Sequence, residues 1–204
     1  MRNAPYRCAL FLFLLFGPVA LFAQTSPLVL QRSLAELTQS SASIVRGRVI
    51  EAYVEKHPTL RNLPTVVVKL RVDETLKGAA ETTFTFREFL WQGPVGAGEV
   101  PAQYHPGQEL LLLMNATSSY GLSSPAGLEQ GTFRIVRDTK GTAYALNGRN
   151  NANLFAGATQ ALGARASGLK ASAVSIMTAN QPGQIPLDDL SSVIRQLVEA
   201  TDAK

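Results

Sequence analysis

The residue types that could support metal chemistry are few in this chain. Its only two histidines, His57 and His105, each precede a proline. With Glu99 or Glu109 they could supply three protein ligands to a catalytic zinc, but no HExxH-like spacing supports such a site. Histidine-proline pairs are also ordinary in loops, because proline restricts the residue before it to extended backbone. We therefore predict no metal site and no cofactor.

Nucleophilic and paired-carboxylate chemistry also lacks its usual patterns. No serine stands in a GxSxG elbow, the turn that exposes the nucleophile of many hydrolases. Asp73 and Glu74 are neighbours on a predicted strand, so their side chains point to opposite faces. Asp188 and Asp189 begin a predicted helix, where they stabilise the helix dipole. We predict no catalytic residues.

Basic residues on neighbouring predicted strands form a candidate binding surface. Alternation places Arg46 and Arg48 on one face of the first strand. It places Lys69 and Arg71 on one face of the second, with Arg87 nearby on the third. If these faces coincide, the cluster would suit an anionic ligand such as an acidic glycan or a lipid headgroup. The alternative is a solvated surface neutralised by four acidic residues: Glu51, Glu55, Asp73 and Glu88.

A second candidate binding surface is the Gly- and Pro-rich segment from Trp91 to Gly107. A long loop in a compact domain is often functional, and exposed aromatic side chains suit sugar or peptide partners. Trp91, Tyr104 and His105 are its candidate binding residues. Trp91 could equally be a buried plug of the core.

The N terminus has the pattern of a secretory signal peptide. Arg2 and Arg7 precede an apolar run from Cys8 to Phe22, and Ala23 offers a cleavage site. We predict that residues 1–23 are removed, which leaves no stable membrane span; a retained anchor is the alternative.

Cleavage would change both the cysteine content and the charge. The only cysteine, Cys8, would leave, which favours a bacterial periplasmic or extracellular protein over a disulfide-stapled secreted domain. The net charge of the whole chain is +4, and loss of Arg2 and Arg7 would leave 17 basic against 15 acidic residues. This small excess argues against a nucleic-acid partner.

Hydrophobic periodicity predicts a mainly β fold. Ser33 and Glu36 have capping-box spacing before a short helix at about Leu34 to Ser40. Strands follow, with a bulge predicted near Ile50, a strand from Gln108 to Met114 buried on both faces, and a hairpin around Lys140.

The predicted domain, residues 24–148, is a small antiparallel β-barrel like the oligonucleotide/oligosaccharide-binding (OB) fold, with an open sandwich as the alternative. Residues 149–184 are rich in Ala, Gly, Ser and Asn, which predicts a mobile linker or loose excursion. Residues 185–204 contain apolar residues at helical spacing, which predicts a C-terminal helix.

Four stretches carry a resemblance that covers roughly Leu34 to Asn147: SLAELTQSSASIVRGRV, TVVVKLRVDETLKG, YHPGQELLLLM and GLEQGTFRIV. They resemble a group of exported bacterial proteins of unknown function whose domain is distantly similar to the netrin and metalloprotease-inhibitor barrel. Inhibitors of that type bind the target's zinc through an N-terminal cysteine. Here the predicted mature N terminus is Gln24, so the resemblance does not carry over that mechanism.

These observations predict an exported bacterial protein that is not an enzyme and binds another molecule, with an envelope or extracellular protein favoured over a glycan. Two alternatives stay open. One is an accessory or inhibitory factor for an exported protease, which the resemblance implies. The other is a hydrolase with an unrecognised metal or carboxylate site.

Overall fold

The computed structural model describes residues 30–79, 81–90 and 99–202. In chain order, the helices and strands are α1 (Leu34–Ser40), β1 (Ser43–Lys56), β2 (Pro64–Lys77), β3 (Thr83–Phe89), β4 (Glu109–Met114), β5 (Thr132–Arg137), β6 (Ala143–Asn147), α2 (Ala158–Leu162), α3 (Ala171–Ala179), β7 (Ile185–Pro186) and α4 (Leu187–Asp202). Three short 3-10 helices lie at Ala102–Tyr104, Leu128–Gln130 and Gly163–Gly168. The predicted signal segment lies outside the described residues.

Helix α1 begins at the predicted capping box. The Ser33 side chain accepts a hydrogen bond from the Glu36 N–H, and the Glu36 carboxylate accepts one from the Ser33 N–H at 2.7 Å. Two backbone donors that would otherwise be free are satisfied in this way. The helix buries Leu34 and Leu37 against the sheet and α4. The predicted helix is therefore confirmed.

The long strands β1 and β2 pair along almost their whole length. Their antiparallel register runs from Ile44 opposite Lys77 to Lys56 opposite Pro64. It shifts three times, and one shift, between Val49 and Glu51, is the bulge predicted near Ile50. Bulges bend a strand and increase its twist. These irregularities let the sheet curl over one of its own faces.

All seven strands belong to one antiparallel sheet, in the order β3-β2-β1-β4-β5-β6-β7. Strand β4 lies between β1 and β5, and all six of its residues are buried. Leu111 and Leu113 pack into a core under the helices, whereas Leu110 and Leu112 pack into a second core on the other face. The predicted burial of β4 on both faces is therefore confirmed, as is the β5–β6 hairpin.

The mainly β fold is confirmed, but among the described residues the sheet does not close into the predicted OB-like barrel. Its edge strands are β3 and β7, and they do not pair. Strands β1 to β4 curl around the second core, which contains Val68, Phe86 and Tyr104. Strands β5 to β7 instead pack their inner face against the helices. The two cores lie on opposite faces of the sheet, with β4 contributing to both.

Residues 149–184 differ from the linker that their composition predicts. They contain α2, a 3-10 helix and α3, and they place Leu154, Leu162 and Met177 in the same core as α1 and α4. Asn151 fixes the start of the segment, because its side-chain amide donates to the Ala145 and Gly183 carbonyl oxygens at 3.0 and 2.8 Å. The small residues of this segment allow close packing, so residues 149–184 belong to the folded domain.

The C-terminal helix is confirmed as α4, which buries Leu190, Ile194 and Leu197. Asp188 and Asp189 lie in its first turn, as expected from helix-dipole electrostatics. Across the described ranges, no helix combines the length and the apolar character needed to cross a membrane.

Candidate functional site

A groove of about 930 Å³ opens at the end of β3. One wall is the end of β3 together with the Ala102–Tyr104 turn, and the other is the Leu128–Gln130 turn with β5. Residues 115–125 lie along its side. We call it the β3 groove and define it by these lining residues: Glu88, Phe89, Tyr104, Leu122, Leu128 and Thr132.

A tyrosine-carboxyl pair lies on the inner side of the β3 groove. The hydroxyl of the buried Tyr104 donates to Oε2 of Glu88 at 2.7 Å. The Tyr104 ring also meets Phe86 edge-on, with ring centroids 5.5 Å apart. Burial raises the pKa of Glu88, and the hydrogen bond from Tyr104 offsets part of that rise. The pair can therefore bind a ligand donor, or exchange a proton at a higher pH than an exposed glutamate.

His57 holds the loop that borders the β3 groove. Its Nδ1 accepts hydrogen bonds from the N–H groups of Thr59 and Leu60 at 3.2 and 3.0 Å. An accepting Nδ1 requires the proton on Nε2, which lies 2.7 Å from the Tyr120 carbonyl oxygen and donates to it. The Ser123 N–H further ties this loop to the Arg87 carbonyl at 2.8 Å. His57 is thus a positioning residue for the loop.

The β3 groove exposes apolar side chains at its rim. Phe89 and Leu128 are 41% and 47% exposed, and Tyr120, at the tip of the bordering loop, is 60% exposed. Leu128 also adopts a φ of 57°, in the left-handed region that L-residues with a Cβ rarely occupy. The backbone therefore holds an apolar side chain towards solvent at a conformational cost of about 1–2 kcal/mol.

A charged network lies away from the β3 groove and is centred on Glu109. Oε1 of Glu109 is 2.9 Å from Nη1 of Arg46, and Oε2 is 2.9 Å from Nη2 of Arg137. Arg48 lies farther away, at 3.7 Å from Oε2. Burial acts to raise the pKa of Glu109, but the hydrogen bonds and charges of Arg137 and Arg46 together outweigh it, so the pKa is lowered. Glu109 is therefore a carboxylate at neutral pH.

Glu74 extends this network to the C-terminal helix. Its Oε2 pairs with Nε of Arg46 at 3.1 Å, and its Oε1 pairs with Arg195 of α4. Arg46 thus bridges two carboxylates that come from β2 and β4. The network connects four elements of the sheet and α4 through side chains that lie far apart in sequence.

The predicted basic surface divides into separate groups. Arg46 and Arg48 converge on Glu109, as described above. Arg71 pairs with Asp73 at 3.3 Å instead, and Lys69 makes no ion pair within the described part of the chain. Arg87 pairs with Glu55. The basic residues thus make different ion pairs, although Arg48 lies directly opposite Arg71 in the β1–β2 register.

The residues of the predicted aromatic loop are also separated. Tyr104 lines the β3 groove, whereas His105 is exposed and lies outside that lining. Trp91 lies outside the described residues. The candidate zinc ligands do not assemble either: in residues 30–79, 81–90 and 99–202 no three His, Cys, Asp or Glu side chains form a metal-binding group.

Several site residues escape the sequence-based reasoning. Arg137 and Arg195 give no local pattern that would link them to Arg46. Leu128 has one local signal, because it follows Gly127 in a Gly-rich turn where left-handed backbone is common. Glu88 was expected to neutralise the basic surface, yet its hydrogen-bond partner is Tyr104.

Comparison of the chain with protein-family models, with curated proteins and with solved structures finds no match. The functional inference therefore depends on the residues and geometry described above.

Proposed function

We propose that this protein is an exported binding module without catalytic activity, and that it holds an extended segment of another exported protein in the β3 groove. Export is supported by the charged and apolar pattern of residues 1–23. The binding site is supported by the size and chemistry of the groove. Its volume of about 930 Å³ is within the range of ligand sites.

The observation that carries the proposal is the exposure of Leu128 in a strained backbone conformation on one wall of the groove, with the exposed Phe89 on the other. An exposed leucine side chain contributes no hydrophobic stabilisation. Backbone strain such as the left-handed φ of Leu128 tends to persist where function requires it. A partner that covers both side chains would recover hydrophobic free energy, about 25 cal/mol for each Å² of apolar surface.

The polar groups of the groove fit a peptide partner. Glu88 offers a carboxyl group that can accept a hydrogen bond from a backbone N–H, and Thr132 and Ser124 add hydroxyl groups. Apolar anchors combined with a few directed polar groups are typical of peptide-binding grooves. An exported protease, which the family resemblance suggests, would be one possible source of such a segment.

The test is selection of peptides from a random display library on the mature chain, followed by fluorescence anisotropy with the selected peptide. Leu128→Asp should weaken binding about tenfold or more, because it places a charge in the apolar contact. Val174→Asp is the matched control: Val174 is exposed on α3, away from the groove, and the affinity should stay within about twofold. If no peptide is selected, or if Leu128→Asp binds like the control, the proposal is wrong.

A second candidate is hydrolysis that uses Glu88 as the acid or base, favoured by the raised pKa of this carboxyl group in a groove. Glu88→Gln separates the two functions. A binding module keeps its peptide affinity within a few-fold, since glutamine still accepts the hydrogen bond from Tyr104. A hydrolase shows turnover of ester, peptide or glycoside substrates in the parent protein and loses it in the variant.

A further inference from the structure

A second cavity, of about 400 Å³, lies between the sheet and the beginning of α4. Four basic side chains and two acidic ones are among its lining residues: Arg46, Arg137, Lys170, Arg195, Glu74 and Asp188. We call it the basic cavity. It shares no lining residue with the β3 groove, so it constitutes a separate candidate site.

Positive charge exceeds negative charge in the basic cavity. Its lining has four cations against two carboxylates. Glu109 lies beside it and is shared with Arg48, which brings the count to five cations against three carboxylates. Arginines held together around so few carboxylates repel one another. A dianion would balance the remaining excess of two positive charges.

Several donors of the basic cavity remain available to a ligand. Within the described part of the chain, Lys170 makes no ion pair, and its side chain is exposed. Arg195 pairs with Glu74 on one side, but half of its side chain is exposed. Arg137 is similarly exposed at 49% while it pairs with Glu109. A guanidinium has five N–H donors, so both arginines retain donors beyond these pairs.

A buried hydroxyl adds to this donor set. Ser191 is only 4% exposed and lines the cavity, and its Oγ has no hydrogen-bond partner among the described residues. A buried hydroxyl without a partner costs free energy, so the Ser191 Oγ is available to hydrogen-bond a ligand atom in the cavity. The lining residues of α4 include Asp188, Ser191 and Arg195, so the cavity runs along the first two turns of that helix.

We infer that the basic cavity binds a phosphate group, with Lys170, Arg195 and Arg137 as its charged donors. A phosphate group can carry the two negative charges that the excess requires, and its oxygens match the planar fork of an arginine. The cavity is larger than one phosphate group, so the group can be free phosphate or the phosphate monoester of a larger molecule, such as phosphatidic acid.

The first test is calorimetric titration of the mature chain with inorganic phosphate at constant ionic strength, which keeps general charge screening unchanged. The parent protein should bind with one site per chain. Lys170→Gln and Arg195→Gln should each weaken binding about tenfold, the loss expected for one charge-assisted hydrogen bond. Both side chains are exposed, so these variants should fold.

Arg61→Gln is the matched control, because Arg61 is exposed in the loop at the far end of the β1–β2 pair. Its affinity should equal that of the parent. A second arm measures co-sedimentation with phosphatidic acid vesicles and with phosphatidylcholine vesicles. If the parent binds the anionic vesicles but not free phosphate, and Lys170→Gln and Arg195→Gln weaken that binding, the site is assigned to a lipid phosphate. If neither free phosphate nor anionic vesicles bind, or if Arg61→Gln weakens binding as much as the cavity variants, the inference is wrong.

Discussion

Glu109 illustrates how a single buried side chain can hold several strands together. Its carboxylate lies on β4 and contacts arginines from β1 and β5. Removing this carboxylate from water is costly, but two short hydrogen bonds offset the cost. The lowered pKa of Glu109 reports that the charged form is favoured in the folded chain. The network therefore makes a pH-dependent contribution to stability.

We predict that Glu109→Gln lowers the free energy of unfolding by about 2 kcal/mol at pH 7, since it leaves Arg46 and Arg137 without their shared countercharge. Because the folded pKa lies below the ordinary 4.5, this contribution is present above that value and is lost as pH falls through the folded pKa. Urea unfolding should therefore show a smaller difference in the free energy of unfolding between the parent and Glu109→Gln at pH 3 than at pH 7.

The matched control is Glu199→Gln. Glu199 is a carboxylate that pairs with a single arginine, Arg165, and it lies exposed on α4. The expected loss is within about 0.5 kcal/mol at both pH values. An equal loss in the two variants would contradict the special role of Glu109.

At the scale of elements, the coiling of β1 against β2 depends on Gly47. A Cβ built at this position would lie 2.3 Å from the Arg71 carbonyl oxygen of β2. That oxygen belongs to the backbone and cannot move aside as a flexible side chain would. Gly47 also adjoins one of the three register shifts of the β1–β2 pair. Close backbone approach is a common reason for glycine inside a strand.

We predict that Gly47→Ala destabilises the protein by about 3 kcal/mol or prevents folding, because the strands must separate at that point. The measurement is the midpoint of urea unfolding followed by circular dichroism. Gly168→Ala is the control: its nearest contact would be Gln196 Oε1 at 4.0 Å, and the residue has no positive φ. The free energy of unfolding of that variant should lie within about 0.5 kcal/mol of that of the parent. A near-neutral Gly47→Ala would contradict this account of the strand pair.

Local sequence patterns predicted the individual elements well. The capping box at Ser33 and Glu36 positions α1, and the alternation from Lys69 to Asp73 matches the exposure of β2, whereas Thr65 to Val68 are all buried. These features depend on contacts within a few residues, so a single sequence contains them. The position of β4 between β1 and β5 has no such local signal, because pairing partners are chosen by packing across the whole sheet.

At the scale of the whole molecule, the packing of residues 149–184 differs most from what the sequence predicts. Their low hydrophobicity predicted a linker, yet Leu154, Phe155 and Leu162 are buried in the core that also holds α1 and α4. Composition failed here because a few large side chains, spaced irregularly, can bury a segment whose other residues are small. Asn150, Asn151 and Asn153 adopt positive φ values, which allows the tight turns that precede α2.

We predict that Leu162→Ala lowers the free energy of unfolding by about 3 kcal/mol, because it removes a side chain that is only 3% exposed. Val174→Ala is the control on α3, at 37% exposure, and should cost less than about 1 kcal/mol. Thermal and urea unfolding measure both. A loss below about 0.5 kcal/mol for Leu162→Ala would favour the loosely packed segment that composition suggests.

Capping, strand alternation, the β5–β6 hairpin and the amphipathic α4 can all be inferred from the amino-acid order, because each depends on neighbours along the chain. The barrel was the natural extrapolation from those strands, and it is wrong because helices cover the inner face of β5 to β7. The charged network, the β3 groove and the basic cavity appear only after folding. Arg46, Glu109 and Arg137 meet because β1, β4 and β5 are adjacent in the sheet, and an interaction between residues so distant in sequence leaves no local pattern.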